Sequence, residues 1–141
     1  MPLVTITASH LVSDDEIVVV SDLVHEALVS EFGIGATDKF HILLPASTGI
    51  RVVHPPSHQG IVYSDRIVIV QVVANNTRTE SQKQRLCATI NSRTVAALSF
   101  RPEDIIISLH DVPPENWSFG RHGSQRISQE QAVTCKERPR T

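Results

Sequence analysis

The sequence contains no apolar run of the roughly 18 residues that a membrane-spanning helix needs. Its first residues also lack the positively charged and then apolar layout of a signal peptide. The formal net charge is only −2, so charge favours neither nucleic acid nor a membrane surface as a partner. We therefore expect a cytoplasmic protein, and the 141 residues predict one domain whose core would gain from oligomerisation.

Cysteine is scarce as well. Cys87 falls in a helical pattern and Cys135 in a polar tail, and we interpret both as reduced thiols. His54 and His58 are four residues apart, but the prolines between them preclude a helix that would align both imidazoles on one metal ion. The sequence therefore predicts neither a disulfide framework nor a metal site.

The chain begins with a proline in an unusual place. Pro2 would become the amino terminus if Met1 were removed, and alternating apolar residues that predict a strand follow it. A free N-terminal proline carries a secondary amine in a rigid ring, and this amine can act as a base, an acid or a nucleophile. Proline is also tolerated at the first residue of a strand, so a purely structural role is the alternative.

Periodicity and turn residues predict two strand–helix–strand units. The first has a strand at 3–8, a helix from a Ser13 cap to Gly33 and a strand at 40–44. The second has a strand at 66–74, a helix from Thr79 to about Leu98 and a strand at 105–109. Residues 45–60 are rich in proline, glycine and serine, which is typical of a loop, an extended excursion or a hairpin.

The two units repeat each other. Ser13 and Thr79 both begin capping boxes and are 79 − 13 = 66 positions apart, and the same offset lays Asp38 over Asp104. We predict an α+β fold with β-α-β units at about 2–60 and 61–120. The domain would span 1–123, with a polar tail at 124–141.

A four-stranded sheet with both helices on one face would bring distant residues together. If the units are related by a pseudo-twofold axis, the first two strands begin where the last two end. Candidate functional residues would then meet at that end, namely Pro2, Asp38, Asn76, Arg78, Trp117 and Phe119. Asp104 would lie at the far end.

This grouping supports a mechanism. Arg78 beside a helix N-terminus suits the carboxylate of a substrate, and Trp117 with Phe119 offers an apolar wall that would tune the pKa of the amine. Asp38 would orient a water, hold a proton or raise that pKa. The structural alternatives are a surface charge for Arg78, a turn residue for Asp38 and core packing for the aromatics.

The chain resembles the tautomerase superfamily, whose members use an amino-terminal proline, and within it the malonate semialdehyde decarboxylase-like group. The likeness covers about residues 2–123, and the motifs that carry it are Pro2-Leu3, Phe32-Gly33-Ile34 through Asp38-Lys39-Phe40, Arg78-Thr79-Glu80-Ser81-Gln82-Lys83, Pro102-Glu103-Asp104-Ile105-Ile106 and Glu115-Asn116-Trp117-Ser118-Phe119-Gly120. The resemblance implies a β-α-β pseudo-repeat, a homotrimer and no metal or organic cofactor.

The resemblance also implies roles. Pro2 would be the catalytic amine, Asp38 the carboxylate beside it, Arg78 the binder of the substrate carboxylate, and Trp117 with Phe119 part of the pocket wall. The decarboxylase pattern has two arginines separated by one residue in this loop, whereas this chain has Asn76 and Arg78.

Three functions stay open on the sequence. The first is a keto–enol tautomerase for a small 2-oxo acid, in which neutral Pro2 takes the α-proton. The second is a decarboxylase or hydratase for a 3-oxo acid, in which cationic Pro2 polarises the 3-oxo group. The third is a trimeric binding protein with vestigial activity, which retention of Met1 would favour because an acylated proline nitrogen is neither basic nor nucleophilic. We favour the tautomerase.

Overall fold

The computed structural model describes residues 1–120, so the tail at 124–141 and Cys135 lie outside the described residues. The helices are α1 (Asp14–Phe32) and α2 (Glu80–Leu98). Short 3₁₀ turns occur at Ala46–Thr48, Pro102–Asp104 and Pro114–Asn116. The strands are β1 (Leu3–Ala8), β2 (Phe40–Leu44), β3 (Ser57–His58), β4 (Ile61–Val62), β5 (Val68–Asn75) and β6 (Ile105–Val112).

The two long helices have the same length and the same N-terminal capping. Each has 19 residues, and the hydroxyls of the N-caps Ser13 and Thr79 accept hydrogen bonds from the backbone of Glu16 and Gln82. The side chains of Glu16 and Gln82 accept in return from the N-cap amides, which confirms both predicted capping boxes. The offset of 66 positions therefore relates the whole of α1 to the whole of α2.

Four strands form one sheet in the order β2-β1-β5-β6. The two outer pairs, β1 with β2 and β5 with β6, are parallel, and the central pair of β1 with β5 is antiparallel. Each unit is therefore a parallel strand pair joined through a helix, and the two units meet back to back. This arrangement confirms the predicted α+β fold.

Both helices cover the same face of the sheet. Alternate residues of β1 and β5 are fully buried beneath them, as the period of two along a strand requires. The central part of the core consists of Val4, Ile6, Ala8, Ile17, Val20, Val24, Leu28, Val68, Val70, Val72, Leu86 and Ile90. Within residues 1–120 the opposite face lacks such a cover, and Phe40 and Ile42 are about half exposed there (51% and 47%). No helix of residues 1–120 is long and apolar enough to cross a membrane.

Two strand boundaries differ from the prediction. The third long strand begins at Val68 rather than at Arg66, because the backbone amides of Arg66 and Ile67 donate to the hydroxyls of Ser64 and Ser9 instead of to a neighbouring strand. It continues to Asn75, and β6 continues to Val112 rather than ending at 109, because the two strands stay paired to the last of these residues.

The excursion at 45–60 is mostly irregular, and the hairpin there lies later than the apolar run at 50–53. Its strands β3 and β4 are joined by Gln59 and Gly60, whose φ angles are 50° and 81°. Two successive positive φ values are typical of the tight turn that matches the twist of a two-residue hairpin.

Candidate active site

The candidate functional residues lie at one end of the sheet, where β1 and β2 begin and β5 and β6 finish. Pro2 is buried and directly precedes β1, where Leu3 pairs with Phe40 of β2 and with Val73 of β5. Asp38 lies two residues before β2, so it belongs to the same end. β5 and β6 both finish at this end of the sheet, where Asn75 pairs with Val112.

Arg78 follows β5 and immediately precedes the N-cap of α2. Its guanidinium carbon lies 5.1 Å from the centroid of the Phe32 ring, which ends α1 and is only 5% exposed. This is a cation–π distance, and it fixes the guanidinium against an apolar surface. The Nε atom of Arg78 is buried and has no hydrogen-bond partner within residues 1–120.

Arg78 differs from several other cations of the chain, which pair with carboxylates. Within residues 1–120 Arg78 forms no ion pair, whereas Lys39 pairs with Asp22 at 2.6 Å, Lys83 with Asp111 at 2.5 Å and Arg85 with Glu31 at 3.3 Å. A partly desolvated guanidinium without a carboxylate is suited to bind an anion, and its planar fork matches a carboxylate.

Unsatisfied polar atoms cluster at this end. Buried polar groups are nearly always hydrogen-bonded, so each exception calls for an explanation. In residues 1–120 four buried side-chain atoms lack a partner, and Asn75 Oδ1, Arg78 Nε and Trp117 Nε1 are three of them. Asn75 is the last residue of β5, Arg78 follows β5, and Trp117 follows β6. They offer one acceptor and two donors to a ligand.

The aromatic residues after β6 form a stacked pair. The rings of Trp117 and Phe119 are 5.7 Å apart at an interplanar angle of 16°, and Phe119 is 38% exposed. Pro114 holds the turn, because its carbonyl accepts from the Trp117 amide at 3.2 Å. The pair is thus an apolar wall with an indole N–H buried in it, rather than a part of the main core.

The two repeated aspartates have different surroundings. Asp104 is buried at the opposite end of the sheet, and its carboxylate accepts from the amide and the hydroxyl of Ser64 at 2.8 and 2.5 Å. Asp38 is partly exposed, and within residues 1–120 it forms no ion pair with a lysine or arginine. Asp104 is therefore structural, whereas the Asp38 carboxylate is available.

The loop that carries Asp38 is held by α1. The Asp38 amide donates to the carbonyl of Gly35 at 2.9 Å, and His25 Nε2 bonds the carbonyl of Ala36 at 2.7 Å. Below it, Ser21 Oγ and His41 Nδ1 are 2.8 Å apart. Burial lowers the pKa of His41 to about 4, and the nearby Lys39 and His25 add to this effect. His41 therefore stays neutral at ordinary pH.

Asn76, predicted as a substrate-binding residue, lies in the exposed turn after β5. Its backbone N–H donates to the carbonyl of Val112 at 3.2 Å. Its neighbour Asn75 was not among the predicted residues, although Asn75 has the buried, unpartnered oxygen. The predicted strand at 66–74 stops one residue before Asn75, whereas β5 includes it. The signal that distinguishes the two is the length of β6, which extends the pairing to Asn75.

Two open clefts lie elsewhere. One, of about 440 Å³, is lined by Ile50–Val53 and His10, which follows the far end of β1. The second, of about 370 Å³, adjoins it along the same excursion. In this chain the excursion therefore lies away from Pro2. These clefts contain none of the unpartnered buried atoms, so we place the candidate site at the Pro2 end.

Comparison with known proteins identifies the family of this chain. A family model described as a tautomerase enzyme (Tautomerase_2) matches residues 38–120. The probable tautomerase YusQ of Bacillus subtilis (strain 168) is 26% identical over 107 residues, which are 76% of this chain and 84% of YusQ.

Solved structures are similar over most of the chain. FG41 malonate semialdehyde decarboxylase inhibited by 3-bromopropiolate is 29% identical, with a TM-score of 0.77 over 91% of this chain and 96% of that one. A fused 4-OT, solved as a symmetric trimer, is 18% identical, with a TM-score of 0.69 over 89% of this chain and 98% of that one.

Proposed function

The chain belongs to the tautomerase enzyme family, and we propose that it is a keto–enol tautomerase for a small 2-oxo acid, with Pro2 as its acid and base. The observation that supports this proposal is that Pro2 precedes β1 at the end of the sheet where β5 finishes, three residues before Arg78, a guanidinium without an ion pair within residues 1–120. Arg78 would hold the substrate carboxylate and so set the adjoining carbons beside the amine.

Removal of Met1 is part of the proposal, because an amide nitrogen is not basic. Neutral Pro2 takes a proton from C3 of the 2-oxo acid, and the C–H electron pair forms the C2–C3 double bond. The carbonyl electron pair moves to the C2 oxygen, which receives the proton and restores the neutral amine. A free α-amine has a pKa near ~8, so it exchanges protons readily near neutral pH. Because the amine is both base and acid, the reaction needs no cofactor.

The remaining residues would assist. The Asp38 carboxylate favours the cationic form of the amine, and Trp117 with Phe119 shields the site from water. Asn76 would contribute an amide where the decarboxylase pattern has an arginine.

We propose that the molecule is a homotrimer. The sheet face opposite the helices carries half-exposed Phe40 and Ile42, and the fused 4-OT with a similar fold is a trimer. Sedimentation at several concentrations would test this assembly, and a monomer at all of them would contradict it.

The test of the proposed reaction is turnover of an enolised aryl-pyruvate, which is monitored through the loss of the enol's absorbance. Pro2→Ala should lower kcat by at least ~100-fold, because it removes the ring amine. An alanine inserted between Met1 and Pro2 is the matched control, since it keeps the ring but acylates its nitrogen, and it should be equally inactive. Intact mass shows whether Met1 is absent from the wild-type protein. Unchanged turnover in both variants would contradict the mechanism.

A second candidate is decarboxylation of a 3-oxo acid, which the likeness to FG41 malonate semialdehyde decarboxylase favours. Cationic Pro2 would polarise the 3-oxo group while the C1–C2 bond breaks, carbon dioxide leaves and a proton takes its place on C2. With one arginine in the loop, this activity should be weak in the wild type and rise in Asn76→Arg. Carbon dioxide release from malonate semialdehyde measures it, and no release from either protein would exclude this candidate.

A further inference from the structure

Met1 marks the space in which a substrate would meet the amine. Its carbonyl carbon is bonded to the Pro2 nitrogen, so removal of Met1 empties the volume directly in front of that nitrogen. In the proposed function, C3 of the substrate must enter this volume to exchange its proton with Pro2. Residues that border Met1 in the structure are therefore residues that would border the reacting atoms.

The register of the sheet places Asn75 at this border. β1 and β5 pair antiparallel, with Leu3 opposite Val73. The pairing ends there, and the same register continued by two residues would set Met1 opposite Asn75, the last residue of β5. Directly opposed residues have side chains on the same face, with Cβ atoms roughly 4.5–5.5 Å apart. By this register the Asn75 side chain would lie beside the volume that Met1 vacates.

Asn75 also has an unmet hydrogen bond. Its Oδ1 atom is buried and accepts from no donor within residues 1–120. An amide oxygen can only accept, so the partner that it lacks must be a donor. A 2-oxo acid presents only acceptors at C2, whereas its enol presents an O–H.

We propose that Asn75 is a substrate-binding residue that accepts the C2 hydroxyl of the enol and selects ligands with a donor at that carbon. This inference rests on the proposed function and deepens it, since it assigns the recognition of the substrate's reacting oxygen to a residue outside the predicted set. Arg78 holds the carboxylate at C1, Asn75 accepts from the oxygen at C2, and Pro2 exchanges the proton at C3. The three residues would thereby bind the groups on three successive carbons of the substrate.

The test is equilibrium binding of two stable ligands to protein that lacks Met1. Both are monocarboxylates, 2-hydroxy-3-phenylpropanoate and 3-phenylpropanoate, and they differ only in the C2 hydroxyl. The wild type should bind the hydroxy acid about tenfold more tightly, because the deoxy ligand leaves a buried acceptor unpaired. In Asn75→Leu the ratio of the two Kd values should fall to about one.

Two further variants separate hydrogen bonding from shape and charge. Asn75→Asp keeps an acceptor, and its added charge weakens the binding of both carboxylate ligands alike. The ratio of the two Kd values should therefore stay several-fold above that of Asn75→Leu. Gln84→Leu makes the same amide-to-leucine change at an exposed position of α2 and should keep the wild-type ratio. Asn75→Val, which suits a strand, replaces Asn75→Leu if the latter does not fold.

The outcomes are separable from those of the proposed function. A wild-type ratio near one, or an unchanged ratio in Asn75→Leu, overturns the inference whether or not turnover requires Pro2, because the binding is measured without turnover. Turnover that survives Pro2→Ala overturns the proposed function instead.

Discussion

The guanidinium carbon of Arg78 lies 5.1 Å from the centre of the Phe32 ring, so the residue that precedes the second helix stacks on the residue that ends the first. This contact joins the two repeated units at the end of the sheet where Pro2 lies. It orients the one guanidinium at this end that has no carboxylate partner within residues 1–120. A packing contact of the fold thereby positions a candidate binding group.

Phe32→Leu should raise KM for the enol substrate several-fold while leaving kcat close to that of the wild type, because Arg78 loses the ring that orients it. The matched control is Phe100→Leu. Phe100 is equally buried, and its ring stacks on the Arg66 guanidinium at 3.8 Å, away from Pro2. Each change removes volume from a buried site and should cost about 1–2 kcal/mol of the free energy of unfolding. Equal KM values in the two variants would refute the link between Phe32 and binding.

Arg78→Lys should weaken substrate binding by about tenfold or more, seen as a higher KM, because an ammonium cannot form the two parallel bonds of a guanidinium fork. Arg93→Lys is the control, since Arg93 lies on α2 with its nearest carboxylate, Glu26, at 3.8 Å on the helix surface. It should change neither KM nor kcat. A KM for Arg78→Lys equal to that of the wild type would argue against its role in carboxylate binding.

The repeat explains how much of the fold was predictable. Two capping boxes 66 residues apart predicted both helices to within one residue, because hydrogen bonds at helix ends are local. The left-handed residue after α1 is Gly33, an obvious signal, whereas its counterpart after α2 is Ser99 with φ of 55°. The repeat alone could identify Ser99, since serine is not typical of that conformation.

The site was predictable in outline but not in contacts. Topology alone brings Pro2, Asp38 and Arg78 to one end of the sheet, since it depends only on the order and direction of strands. The stacking of Arg78 on Phe32 and the burial of Asn75 Oδ1 depend on side-chain conformations and on how far β5 and β6 stay paired. No pattern in the sequence separates Asn75 from Asn76 without that pairing.

Asp38→Ala and Asp104→Ala should have opposite effects, although the two aspartates are equivalent in the repeat. Asp104→Ala removes the acceptor to which the Ser64 amide and hydroxyl both donate at a partly buried place, and it should cost about 2–3 kcal/mol of the free energy of unfolding. Its kcat should stay near that of the wild type at a temperature where it is folded. Asp38→Ala should keep stability within about 0.5 kcal/mol and lower kcat. Denaturant unfolding and steady-state kinetics check both, and a stable Asp104→Ala with reduced kcat would reverse the assignment.

The last prediction concerns pH and the buried His41. Its pKa in the folded protein is about 4, below the ordinary 6.5, because burial and then the nearby Lys39 and His25 disfavour the imidazolium. Between these two values the unfolded chain binds more protons than the folded protein. Stability should therefore be complete above about pH 6.5 and fall as the pH drops towards 4.

One such group gives a slope of at most about 1.4 kcal/mol per pH unit, and the half-buried position of His41 lowers it. His41→Asn, which can still bond Ser21, should flatten the dependence of the free energy of unfolding on pH between 6.5 and 4. His10→Asn, at an exposed position, is the control and should keep the wild-type slope. Glu16 contributes only at the acid end of this range and below it, because the Ser13 backbone amide lowers its pKa from 4.5. Equal slopes in the His41 and His10 variants, measured by denaturant unfolding across this range, would show that His41 is not the titrating group.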